Sequence, residues 1–420
     1  MTTHQQMTTA APAGPALPPL GRDPRVLGWV LGHGISTVGD QILYVALVFT
    51  AAQIASPAGV GLIVACAVLP HAVLTLFGGA VVDRTSARTV MIASDVAQLV
   101  IMLAALVAVT VQGQSVPLLV ALALVSGTAT AFYQPASFAF PRQLRPTGDL
   151  TRVASIRQLA GRGATIGGPP LGGVLVAAFG LAGALLVDTV TFAVIALVLL
   201  LLVRPRWPRE QATGATLLAD IRGGLSYVWH TPRVRHLVIA LAGLNVFGAP
   251  VTAVGLALRT AEAGWGPAAL GLLMGSIGAA AVLGTLVMVR WRPARPVLTA
   301  LLILLAQAAS LIIIGFAPFA GVLGATVTVG LTAGLASPLL AGAFQATVDD
   351  AYVARAGSVT ALSDSALIPL TLAGFGVLAG AAGVAVACAV CGFGFLLQLG
   401  YTLSRRPVRA IGTDGTATSA

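Results

Sequence analysis

Four side chains on one short stretch could handle protons. His33, Thr37, Asp40 and Tyr44 stand at i, i+4, i+7 and i+11, with Ser36 adjoining. That spacing gathers an imidazole, a carboxyl and a phenol on one face of a helix. The stretch around them is apolar from Leu31 to Val48. Asp40 lies about 15 residues beyond Arg25, or roughly 22 Å along a helix rising 1.5 Å per residue. A carboxylate that far from water is costly to keep charged, which suits a group that exchanges a proton. Two roles fit it: carrier of a coupled proton, or structural acceptor for a neighbouring helix. His33 and Tyr44 on the same stripe favour the first.

Other polar residues interrupt apolar runs in the same way and are candidates for the same reason: burial of such groups has a cost. They include Tyr133 and Gln134 near Thr130 and Ser137, Asn245 near Thr252, and the acids Asp95, Asp188 and Asp364. Asp95 follows Arg88 by seven residues and so shares its face. A gating network of ion pairs among Asp83, Arg84, Arg88 and Asp95 is the expectation, with helix-end electrostatics as the alternative. Asp364 is a possible partner for Arg157 or Arg162. His71, after Pro70, reads as an ordinary buried residue.

The surroundings of these residues define the class of protein. Of 420 residues, 57% are hydrophobic and 9% charged, and the mean hydropathy is +0.95. A soluble fold needs nearer a quarter charged, so a soluble enzyme, a disordered chain and a nucleic-acid reader are excluded. The net charge is +10, and every one of the 23 basic residues is Arg. Without Lys there is no P-loop and no Schiff-base chemistry. No HExxH or GxSxG occurs, the histidines lack metal-ligand spacing, and Cys66, Cys388 and Cys391 sit in apolar runs. The reading is therefore not an enzyme, with no cofactor and no metal. The first 20 residues are polar, with no apolar leader-like run.

Spans of roughly 20 apolar residues cross a bilayer, and twelve such segments can be read between residues 26 and 403. Connections such as Phe179–Leu181 are too short for anything but tight reversals, and open sheets cannot face lipid. The expected fold is all-α and integral to the membrane. Its parts are a polar tail (1–24), a six-helix half (25–203), a linker (204–234), a second six-helix half (235–404) and a tail (405–420). Twenty arginines fall on the side of the two termini, against Arg259 alone on the other, so both termini are expected in the cytoplasm. In the linker, Leu217, Ile221, Leu225 and Val228 recur at helical spacing beside Trp229. A helix on the membrane surface and one packed under the bundle both fit that stripe. The halves are similar: TRVASIRQL at 151–159 aligns with ARAGSVTAL at 354–362, and the same offset puts Gly173 on Gly376. Such repeats are a common plan for secondary transporters.

Two motifs are more specific. The connection after the second span reads GGAVVDRTSAR, with Gly79, Asp83, Arg84 and Arg88. The fifth span reads GRGATIGGPPLGG, with Gly168, Pro169, Gly172 and Gly173. The glycines permit close helix contact and Pro169 removes a helical hydrogen bond, so a merely kinked, tightly packed helix also explains the second. Together with ISTVGDQILYVAL, YQPASFAFPRQL and IRGGLSYVWHTPRVR, these resemble the major facilitator superfamily, in its drug, macrolide and siderophore exporter branch. The resemblance implies two pseudo-symmetric six-helix halves. The first motif would then be the signature gating loop, and the second an antiporter-like motif.

The resemblance also implies a central cavity lined by spans one, four, seven and ten, hence by Thr37, Tyr44, Tyr133, Gln134 and Asn245. That lining suits an amphipathic or cationic small-molecule solute. The expected function is export by proton antiport, with Asp40 and His33 in proton coupling; a proton-coupled importer and a non-transporting scaffold are the alternatives. The expected partners are solute, protons and the lipid bilayer, with no nucleic acid, for a monomer in the bacterial inner membrane. The arginine asymmetry makes a testable prediction of topology. On a background lacking the three native cysteines, cysteines at Ser86 and Thr213 should be shielded from an impermeant thiol reagent in intact cells. A cysteine at Gly113 should label; labelling of Ser86 from outside would reverse the orientation.

Overall fold

The computed structural model describes residues 17–207, 225–291, 293–349 and 352–405. Its first four spanning helices are α1 (Pro24–Ile54), α2 (Pro57–Arg84), α3 (Ala87–Gln112) and α4 (Val116–Ala139). Leu150–Leu201 follows as one continuous helical segment, broken at Gly180 by φ of 62°. That left-handed backbone is open to glycine and strained for other residues. The break gives two crossings, α5 (150–179) and α6 (181–201). The second half comprises α7 (Pro232–Glu262), α8 (Gly266–Arg290), α9 (Pro296–Phe316), α10 (Phe319–Thr347), α11 (Val353–Ala382) and α12 (Val384–Ser404). The described residues thus make twelve crossings in a helical membrane bundle, as their apolar lengths require. Their outer faces carry exposed Leu, Val and Phe, which suits a lipid surround.

Glycines decide how the helices pack. In the first half, Gly28, Gly32 and Gly39 of α1 lie against Leu202, Ile195 and Asp188 with Thr191, near or on α6. A Cβ at Gly78 of α2 would come within 2.7 Å of the Ala131 carbonyl on α4. Between the halves, two contacts repeat one geometry. A Cβ at Gly173 of α5 would stand 2.6 Å from the Pro267 carbonyl oxygen and 3.1 Å from Gly271 Cα, both on α8. A Cβ at Gly376 of α11 would stand 2.6 Å from the Pro57 carbonyl oxygen and 2.9 Å from Gly61 Cα, both on α2. The Pro-x-x-x-Gly starts of α2 and α8 therefore receive equivalent glycines, which supplies a physical meaning for the Gly173–Gly376 match. Both contacts lie at the helix ends away from the arginine-rich face. Among the described residues, no glycine bridges the halves on the arginine-rich side.

At that arginine-rich face a buried cluster ties the first half together. Asp23, fully buried, caps α1 by accepting from the Arg25 amide at 3.1 Å. It also accepts from Arg206 at 2.5 and 2.8 Å and from Arg145 at 2.7 Å. Burial pushes the Asp23 acid up, but the Arg206 hydrogen bond, the Arg25 amide and the charges of both arginines hold it below the usual carboxylate value. Start of α1, connection after α4 and end of α6 thus share one anion. In the linker, residues 225–230 are helical; Val228 is buried, Leu225 and Trp229 are exposed, and Leu217 and Ile221 lie outside the described residues. Tyr227 stacks on Tyr352 at 4.3 Å and its hydroxyl donates to Asp349, so the linker end docks on the second half.

The inter-half glycine contact can be tested directly. At Gly173 the opposing atoms are backbone and cannot move aside, so Gly173→Val should lower stability by about 1–3 kcal/mol and suppress solute flux. Gly163, in the same motif, has open space where a Cβ would stand, so Gly163→Ala should be neutral or slightly stabilising. Melting of the purified variants and flux in reconstituted vesicles check this. Equal melting of the two would contradict it.

Candidate functional site

A cavity of about 180 Å³ lies inside the first half, among α1, α3, α4, α5 and α6. His33, Thr37 and Asp40 of α1 face it, as do Tyr133 and Gln134 of α4. The Tyr133 hydroxyl is 3.3 Å from His33 Nδ1, and the two rings stack at 5.9 Å. Thr37 donates back to the His33 carbonyl at 2.8 Å, which holds that turn of α1. Asp40 is open to the cavity. Arg157, near the start of α5, donates to the Ser137 hydroxyl at 3.2 Å and lies 4.4 Å over the Phe138 ring.

The structure adds residues that the sequence did not bring here. Asp95, only 2% exposed, lines this cavity with Ser94 and Gln98, and its Oδ2 has no hydrogen-bond partner. The Gln98 Oε1, in a side chain 5% exposed, is likewise unpartnered. Asp188 of α6 is fully buried behind Gly39, accepts from Thr191 at 3.1 Å and leaves Oδ2 free. Both Asp95 and Asp188 lie within electrostatic reach of Asp40. Asp40 of α1 and Asp95 of α3 therefore line one cavity, and Asp188 of α6 is buried against α1 at Gly39. The pattern Ser94-Asp95-x-x-Gln98, polar at i and i+4 in an apolar helix, was the available signal.

The gating expectation meets a different arrangement. Two helical turns separate Asp95 from Arg88, about 10 Å at 1.5 Å per residue, and no ion pair joins them among the described residues. Arg88 instead donates to carbonyls at the end of α6: Leu199 at 2.8 and 3.1 Å, Leu200 at 3.0 Å and Val203 at 2.8 Å. It thus caps a helix C-terminus, where a cation is favoured. Arg84 is exposed, and the side chains of Gly79, Asp83 and Asp364 lie outside the described residues.

A second cavity, of about 320 Å³, lies between the halves. It takes Gln41 and Tyr44 from α1, Arg162, Thr165 and Pro169 from α5, and residues of α7 and α8 that include Thr252 and Met274. Tyr44 thus leaves the Asp40 stripe and faces the other side of α1. Asn245 lines neither cavity and is half-buried on α7. Thr252 sits in a π-helical turn, Val251–Gly255, directly after Pro250. The glycine–proline motif joins these features. A Cβ at Gly168 would be 2.6 Å from Gln41 Cβ, and one at Gly172 would be 2.9 Å from Ile42 Cα. Gly173 and the carbonyl of Pro169 meet Gly271 on α8.

Comparison with known proteins places this arrangement. Residues 29–370 match the model of the Major Facilitator Superfamily. A curated relative, the uncharacterized MFS-type transporter YfiS of Bacillus subtilis (strain 168), is 27% identical over 220 residues, covering 51% of this chain and 52% of that one. The chain spans about half the length of that relative. Among solved structures, a mutant form of the nucleoside transporter NupG superposes with a TM-score of 0.71 at 13% identity, covering 90% of this chain and 98% of that one. A POT family transporter in complex with 5-aminolevulinic acid gives 0.69 at 12%, covering 92% and 98%. A bacterial homolog of the human lysosomal transporter Spinster, inward-facing and unoccupied, gives 0.62 at 15%, covering 90% and 94%. At these identities the likeness shows the fold. With the twelve-crossing bundle, its two halves and the family match over most of the chain, the protein is a multi-pass membrane protein that belongs to the major facilitator superfamily.

Proposed function

We propose that the protein is a proton-coupled exporter of an amphipathic small molecule, working by alternating access of the halves 25–203 and 235–404. The observation that carries the proton coupling is the lining of one cavity within the first half by both Asp40 and Asp95, with Asp188 buried against Gly39 of α1. Like charges held close in a poorly hydrated site cannot all ionise, so at least one proton is retained and can be exchanged when hydration changes. Asp40 is the exchanging member, because it is the one of the three open to the cavity while Asp95 and Asp188 are buried. His33, hydrogen-bonded to Tyr133, lies beside it as the relay toward Gln134 and α4.

The volumes divide the labour. About 180 Å³ holds only a few waters at roughly 30 Å³ each, enough for protons but small against the roughly 300 Å³ at which solute pockets begin. The second cavity reaches that size and lies between the moving halves, where a transported solute must sit. Export rather than import is supported by the glycine–proline motif of α5, which resembles that of antiporters. Gly168, Gly172 and Gly173 bind α5 to α1 and α8 at once. Symport would use the same residues and differ in the direction that a gradient drives. The arginine distribution supports a bacterial plasma membrane location with both termini inside, and the gating loop's role is to set closure of the arginine-rich face.

Asp40→Asn keeps size and hydrogen bonding while removing the titratable group. In vesicles with an imposed pH gradient, solute accumulation by this variant should fall to the level of empty vesicles, while solute binding persists and loses its pH dependence. Accumulation driven by the gradient in Asp40→Asn would reduce Asp40 to a structural residue and end this reading.

A further inference from the structure

Other arginines within the spans have partners, although the buried Nε of Arg259 has none. Arg88 spends its donors on the carbonyls ending α6, Arg157 on Ser137 and the Phe138 ring, and Arg259 on the Ala317 carbonyl and the Trp265 ring. Arg162 differs from these in having no such contact among the described residues. It is exposed into the cavity between the halves, and among the described residues no hydrogen bond, ion pair or ring contact involves it. It lies about 12 residues into α5, or roughly 18 Å from the helix start, one turn on the arginine-rich side of the Thr165–Gly278 contact that closes the halves. A guanidinium at that depth is expensive unless a water-filled cavity or an anion receives it.

The walls around Arg162 are selective in charge. No acid lines this cavity; the three carboxyls line or adjoin the other one, across α1. Gln41 and Tyr44, on the α1 wall, have amide and hydroxyl groups without partners among the described residues, so they can donate to an oxyanion beside the guanidinium. Opposite them stand Met274, Ile277 and Val282 of α8, an apolar surface.

We propose that this cavity binds an amphipathic organic anion, with its carboxylate on Arg162, Gln41 and Tyr44 and its apolar body against α8. The proposal rests on the exporter reading only for the transport steps after binding. It reverses the sign of charge that the sequence alone suggested, because the aromatic and amide lining read there does not include Arg162, whose exposure into the cavity only the fold shows. The fork of a guanidinium matches a carboxylate in two parallel hydrogen bonds, an arrangement unavailable to an amide or ammonium head.

The test is a charge series on one apolar ring system, using 2-naphthoate, 2-naphthamide and 2-naphthylmethylammonium, at pH 7 without any gradient. Binding is read as thermal stabilisation of the purified full-length protein, which reports ligands of the folded state. Naphthoate should bind about ten- to a hundredfold tighter than the amide, as a charged hydrogen bond implies, and the ammonium weakest. In Arg162→Gln the preference for the carboxylate should vanish; in Arg162→Lys it should be reduced but kept. Should Arg162→Gln fail to fold, the wild-type series still decides. A carboxylate that stabilises no more than its amide, or a preference that survives Arg162→Gln, overturns the proposal and leaves the exporter reading standing. Loss of gradient-driven flux with the charge preference intact would do the reverse.

Discussion

The architecture hangs on one helix packed by glycine on two sides. Through Gly168 and Gly172, α5 lies directly on α1 at Gln41 and Ile42, and through Gly173 it meets the backbone of α8. Backbone-to-backbone contact leaves no side chain to absorb a shift, so the halves are held closely there. The equivalent contact of Gly376 with Pro57 and Gly61 repeats it at the position related by the internal repeat. In lipid, where apolar surfaces gain nothing from meeting each other rather than lipid tails, such close packing is the main source of helix association. The same glycines that close one end of the molecule therefore also set the geometry of the site.

That geometry puts two chemistries on opposite sides of α1. Asp40 and its neighbours His33 and Thr37 look inward to the carboxyl-lined cavity, while Gln41 and Tyr44 look outward to the cavity between the halves. Adjacent residues on one helix thus line the two cavities without sharing a side chain. Asp40 is next in sequence to Gln41, the packing partner of Gly168. At the arginine-rich face, the Asp23 cluster with Arg145 and Arg206 keeps the ends of α1, α4 and α6 together, so that the first half moves as a unit. Burying an ion pair is weak support for stability in itself. Its use here is to fix register among three segments far apart in the chain.

Most of the fold was legible because bilayer thickness and backbone hydrogen bonding leave few choices for a chain this apolar. The crossings, the reversal at Gly180 and the helical linker end all follow from apolar length, glycine and short connections. The site was legible only in part. His33, Thr37 and Asp40 share a cavity because a 3.6-residue period fixes a helix face, but the same period cannot say where a wide stripe divides, and Tyr44 falls on the other side. Asp95 was paired with Arg88 by periodicity alone; rise per residue separates them, and α3 turns that acid toward Asp40. Asp23 meets Arg145 and Arg206 across more than a hundred residues, and no local pattern encodes that. The Pro-x-x-x-Gly starts of α2 and α8 were present in the sequence, yet their role appears only when Gly173 and Gly376 arrive from other helices.

If the halves rock about the glycine contacts under control of the carboxyls, the opening of the arginine-rich face depends on protonation of Asp40. Distances between spin labels at Thr147, after α4, and Thr347, at the end of α10, measure the opening of the arginine-rich face in reconstituted protein. The account predicts two distance populations whose ratio changes with pH in the wild type and is independent of pH in Asp40→Asn. A single distance unaffected by pH in the wild type, or an undiminished pH response in the Asn variant, would contradict it.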